Sequence, residues 1–121
     1  MKLEEQVTNL KLSQKLQELG IKQESLFYWD LFFVGGIYKI KRADEMNVSN
    51  WKYVSSAFTV AELGDMLPRN TYTYSNGDLW YCKTHLDNLK NNKNILPWDN
   101  TEANARAKLL IYLIENKLIE K

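Results

Sequence analysis

Tyr72-Thr73-Tyr74-Ser75-Asn76-Gly77-Asp78-Leu79-Trp80-Tyr81-Cys82 places two aromatic-rich runs on either side of an Asn-Gly pair. Asn76 and Gly77 both tolerate the positive φ of a type I′ turn, so the stretch predicts a β-hairpin with a two-residue loop. In that register Tyr74 opposes Leu79 and Tyr72 opposes Tyr81 on one face. Thr73 opposes Trp80, and Thr71 opposes Cys82, on the other. The face with Trp80 and Cys82 is read as the core side, which leaves the tyrosines partly exposed.

Upstream, Thr59-Val60-Ala61-Glu62 has the pattern of a capping box. The Thr59 hydroxyl is expected on the amide of Glu62, with the Glu62 carboxylate reaching back. Phe58 and Leu63 occupy the two positions of a hydrophobic staple. Pro68 disfavours helical geometry in the residue before it, so this helix is expected to stop by Leu67. Further upstream, Leu26 to Phe33 is aromatic and poor in helix signals, and Ile37-Tyr38-Lys39-Ile40-Lys41 alternates apolar and basic residues. The two runs read as another hairpin with Gly35-Gly36 at its turn and the lysines facing water. Trp51 to Val54 reads as either a short strand or a loop.

Leu12, Leu16 and Leu19 recur at helical spacing, so a short helix is predicted over residues 8–19. Ser13 is its expected N-cap and Gly20 its C-terminal stop. Near the other end, Ala103, Ala107, Leu110, Ile111, Ile114 and Leu118 form one stripe, widened by Leu109 and Leu113. That predicts a core helix starting at Asp99 or Thr101 and running to about Leu118. Residues 90–94 read as a solvated loop, with Leu96-Pro97-Trp98 pinning its end. The predicted fold is α+β in the order α-β-β-α-β-β-α. A four-stranded antiparallel sheet from two β-hairpins is packed by a long C-terminal helix, with two short helices at its margins. Residues 1–121 are read as a single domain, with 1–7 as a flexible N-terminus.

The chain has 16 Lys+Arg against 15 Asp+Glu, a formal net charge of +1, so it lacks the overall basic excess that nonspecific DNA or membrane binding relies on. Its one cysteine, Cys82, fits a reducing compartment. The polar, acidic start and the lack of a long apolar run point to a cytoplasmic protein without a signal peptide or membrane partner.

Cys82 and His85 have a metal-ligand spacing, but the chain holds no further Cys or His to complete a zinc site. No catalytic residue, metal site or cofactor is predicted. Glu62 is assigned to capping rather than to acid–base work, and Gly35-Gly36 to a turn rather than a phosphate loop. Leu19-Gly20-Ile21 followed by Gln23-Glu24-Ser25 superficially resembles the start of a helix-turn-helix. The would-be recognition segment, Leu26 to Trp29, prefers strand and carries no base-reading Arg, Asn or Gln. The candidate binding surface comprises Lys39, Lys41, Arg42, Tyr72, Tyr74 and Tyr81. Structural tasks go to Thr59, Glu62, Trp80, Asn76 and Gly77.

Three segments also carry a resemblance. Leu12 to Leu16 with Leu19 to Trp29, Ala57 to Pro68, and Thr101 to Glu115 resemble a group of small uncharacterised bacteriophage and prophage proteins. The likeness spans about residue 12 to the C-terminus. It implies a phage-type accessory protein and brings no activity with it. Together with the residues, it makes a non-enzymatic module that binds a protein partner the first expectation. The alternative is a single-stranded nucleic-acid or DNA-binding protein using the sheet tyrosines and nearby lysines.

Overall fold

The computed structural model describes residues 2–30, 39–45, 54–84 and 96–119. Within them the chain is α+β, with four α-helices and two three-stranded antiparallel sheets. The elements are α1 (Leu3–Gln6), α2 (Leu10–Glu18), β1 (Phe27–Asp30), β2 (Lys39–Arg42), β3 (Val54–Ser56), α3 (Val60–Met66), β4 (Tyr72–Ser75), β5 (Trp80–Lys83), β6 (Trp98–Asp99) and α4 (Glu102–Glu115).

In place of the expected four-stranded sheet, the two strand pairs belong to separate sheets, and each gains a third strand. In the first sheet the order is β2-β1-β3, with Trp29 opposite both Ile40 and Ser55. In the second it is β4-β5-β6, with Tyr81 opposite both Tyr74 and Trp98. β3 takes only Val54 from the stretch read as strand or loop, and β6 only Trp98 from the loop end; residues 51–53 lie outside the described residues. The predicted turn at Gly35-Gly36, the loop at 90–94 and His85 lie outside the described residues.

The second hairpin pairs two residues out from the expected register: Thr73 faces Cys82 and Ser75 faces Trp80. Asn76 explains the shift. Its Oδ1 accepts from the amides of Asp78 (3.0 Å) and Leu79 (2.9 Å), and its own N–H donates to the Leu79 carbonyl (3.2 Å). The tip therefore falls at Gly77-Asp78, and only Gly77 takes positive φ (104°). Glycine does so without the Cβ penalty that a type I′ turn would impose on Asn76. A shift of two residues preserves the faces, so Cys82 is fully buried and Trp80 packs on the core.

The capping box forms as predicted. Thr59 Oγ1 accepts from the Glu62 amide, Glu62 accepts from the Thr59 N–H, and α3 stops at Leu67. Phe58 and Leu63 are both fully buried. For α2 the cap is Asn9, whose side chain accepts from the Leu12 amide (2.8 Å), rather than Ser13. Ser13 lies inside the helix and bonds the buried Thr8 hydroxyl at 2.6 Å. Gly20 (φ 90°) ends α2 as expected. Gly20 N–H donates to Gln17 and Ile21 N–H to Leu16, the paired bonds of a Schellman stop.

Thr8 ties the N-terminal segment to three elements. Its hydroxyl accepts from the Phe58 amide (3.0 Å), and its carbonyl accepts from Trp29 Nε1 (2.9 Å) and Ser13 Oγ (3.2 Å). Val7 before it is fully buried and bridges to Thr59. The central layer is α4, capped by Thr101, whose hydroxyl accepts from the Asn104 amide. It packs against α2, α3, β5 and β6, so residues nearly all around it are buried, Leu109, Leu110 and Leu113 among them. It ends at Glu115, short of the expected Leu118, because Lys117 turns to φ 56° and Leu118 N–H reaches back to Leu113.

Candidate binding face

The inner face of the second sheet is occupied by packing. Thr73 and Cys82 lie under α4, where the Thr73 hydroxyl donates to Glu102 and Arg106 Nη2 reaches the same carboxylate at 3.3 Å. The outer face is different. Tyr74, Tyr81 and Trp98 are directly opposed across three strands and therefore share it, and Tyr72 joins them two residues from Tyr74. The Tyr74 and Tyr81 rings stack at 5.2 Å and 19°, and those of Tyr72 and Tyr74 lie 6.1 Å apart at 29°. Trp98 is 52% exposed, Tyr72 43% and Tyr74 41%. Large aromatics side by side in water mark an interaction surface more often than a packing accident.

Two lysines and one carboxylate border this face. Lys108, from α4, sits with Nζ 5.3 Å from the Trp98 ring centre, 2.8 Å from Asp99 Oδ2 and 3.0 Å from the Trp98 carbonyl. Asp99 is partly buried, which raises its pKa. The hydrogen bonds from Lys108, Asn100 and Asn104 and the Lys108 charge outweigh burial and hold it below the usual carboxylate value. Lys83 is exposed opposite Tyr72.

The predicted surface is therefore split. Tyr72, Tyr74 and Tyr81 come together, whereas Lys39, Lys41 and Arg42 belong to the other sheet. There Lys41 pairs with Asp30 at 3.0 Å, and Arg42 with Glu45 at 2.9 Å and Asp44 at 3.5 Å. Those carboxylates raise the Arg42 pKa, the Glu45 hydrogen bond most of all. Lys41 is half-buried rather than fully facing water. Trp98 is a surface residue that the sequence does not reveal, since its place between Pro97 and the α4 cap reads as an anchor. Only the pairing of β6 with β5 reveals its exposure.

Two of the groups that the sequence offered for chemistry, Cys82 and Glu62, have other tasks. Cys82 is fully buried, and desolvation pushes its thiol up to about 12, far from a reactive thiolate. Glu62, beyond its cap, accepts from Ser25 Oγ (2.8 Å) and the Leu26 amide (3.0 Å). Phe27 to Trp29 lie in β1 of the first sheet and Leu26 just before it, so no recognition helix forms there. No helix among the described residues is long and apolar enough to cross a membrane.

A cleft of about 460 Å³ lies where the two sheets meet the starts of α3 and α4. Phe27, Trp80, Val60 and Thr101 line it together with Glu5 and Glu102. Its two carboxylates are tied locally. Glu5 accepts from the Lys2 amide at 3.3 Å, and Glu102 holds Thr73 and Arg106.

Comparison with protein families, curated proteins and solved structures finds no match.

Proposed function

We propose that this chain is a non-enzymatic accessory protein of the bacteriophage and prophage type that binds a protein partner through Tyr72, Tyr74, Tyr81 and Trp98. The observation that carries the reading is the outward alignment of these four aromatics on one three-stranded sheet. Tyr and Trp bring large contact area at low side-chain entropy cost and are enriched where protein partners bury their anchors. The face supplies few cations of its own, and Lys108 already has a carboxylate beside it. A polyanion depends on such cations, so a protein partner fits better. The phage assignment rests on the resemblance of residues 12–16, 19–29, 57–68 and 101–115 to that group.

The stacked Tyr74–Tyr81 pair with Lys83 opposite Tyr72 favours single-stranded nucleic acid as the second reading. Affinity purification from native cells separates the two. The wild-type chain is expected to retain one protein that the Tyr74→Ser, Trp98→Ser double variant loses, with labelled single strands bound by neither. Equal recovery by both chains would refute the protein reading. Salt-sensitive binding of the oligonucleotide, lost in the variant, would replace it with the second.

A further inference from the structure

An uncovered sheet edge recruits another strand unless something blunts it. Among the described residues the two sheets have four edges, and three are blunted. β2 carries Lys39, Lys41 and Arg42. β3 is buried throughout, with Gln17 donating to the Val54 carbonyl (3.2 Å) and Gln23 accepting from the Ser56 amide (2.8 Å). β6 is only two residues long. β4, Tyr72-Thr73-Tyr74-Ser75, has no charge and no proline, and no described strand pairs with its outer side.

The backbone of β4 is set for pairing. Asn76 N–H donates to Leu79, and bonded pairs alternate along an antiparallel ladder. Tyr74 and Tyr72 therefore spend their backbone groups on β5, while Thr73 and Ser75 direct theirs outward. We propose that a second copy of this chain pairs antiparallel with β4 across a two-fold axis, fusing two three-stranded sheets into one of six strands.

Charge and geometry both select the second copy. Arg69 precedes β4 and Asp78 follows it; both are exposed, and neither has an ion pair among the described residues. Antiparallel apposition sets Arg69 of each copy toward Asp78 of the other, whereas parallel apposition sets like against like. A two-fold axis normal to the sheet keeps both aromatic faces on the same side. Directly opposed residues share a face, so the axis passes through a residue rather than between two. Centred on Thr73, it opposes Tyr72 with Tyr74 of the other copy and lets the two Thr73 residues exchange N–H···O=C bonds. The stacked tyrosines then run on across the junction, doubling the aromatic platform.

So short a junction makes a weak dimer, with dissociation in the micromolar to millimolar range. Sedimentation equilibrium of the full chain at low ionic strength should show a reversible monomer–dimer equilibrium. Arg69→Glu should weaken it about tenfold, and adding Asp78→Arg should restore it. Ser75→Pro, which removes an outward N–H at an edge where proline is tolerated, should abolish it while the far-ultraviolet circular dichroism stays unchanged. A chain that stays monomeric up to about 1 mM would overturn the proposal. So would a dimer indifferent to both the charge exchange and Ser75→Pro, or a β4 edge that takes a foreign peptide while self-association is absent.

Discussion

Replacing Glu62 with alanine removes one carboxylate and three hydrogen bonds that hold two parts of the fold together. The lost bonds are those from the Thr59 amide (2.8 Å), Ser25 Oγ (2.8 Å) and the Leu26 amide (3.0 Å). The first belongs to the capping box of α3. The other two fasten the chain entering β1 to the start of that helix. Bonds to a charged acceptor contribute about 1.5–3 kcal/mol each when buried. Here Leu26 is 65% exposed and the other donors are only part-buried, so water recovers much of that. About 1 kcal/mol per bond is the sounder figure, which makes Glu62→Ala a loss of roughly 2–3 kcal/mol. For a chain of this size that lowers Tm by about 10 °C. Urea denaturation followed by tryptophan fluorescence, with a matching thermal melt, measures it. Glu62→Gln keeps one acceptor oxygen and should lose about half as much. A loss below about 0.5 kcal/mol for the alanine variant would refute the view that Glu62 joins α3 to the first sheet.

Cys82 should resist a thiol reagent in the native protein at pH 8 and react fully once the chain is unfolded, because burial raises its pKa to about 12; rapid native labelling would contradict that burial. Asp99→Asn should cost stability at neutral pH, because the folded carboxylate has a depressed pKa. The cost should be complete above the unfolded value of about 3.9 and shrink as pH falls through the folded value, which urea titrations from pH 7 to pH 2 would follow. Lys117→Gly should stabilise the chain by about 0.5–1 kcal/mol, since glycine takes the left-handed stop of α4 without strain; a lowered Tm would show that Lys117 makes a compensating contact.

Local chemistry was legible wherever the determinants sit within a few residues of each other. Thr59, Glu62, Phe58 and Leu63 announce α3 because cap and staple are both local. Gly20 announces the end of α2 for the same reason. The inward and outward faces of the second hairpin were also legible, because a shift of two residues leaves parity intact even though Asn76 moved the tip to Gly77-Asp78. What could not be read was pairing between distant segments. Val54–Ser56 and Trp98–Asp99 are too short to advertise themselves as strands, and only their partners β1 and β5 make them so. The two strand pairs lie in separate sheets, which puts Lys39, Lys41 and Arg42 in one and the tyrosines in the other, and the β5–β6 pairing brings Trp98 beside Tyr81. Ser13 reads as a cap in the sequence because its bond to Thr8 depends on the N-terminal segment folding back against Phe58.

The most direct test of the outward aromatic face is site-specific photocrosslinking in native cells. A benzophenone amino acid in place of Trp98 probes the face away from the β4 edge, and the same group in place of the exposed Lys22 serves as control. A single heterologous protein adduct from position 98, with none from position 22, is the predicted result. Adducts of equal yield from both positions, or none from position 98 in a chain that melts like wild type, would contradict the account.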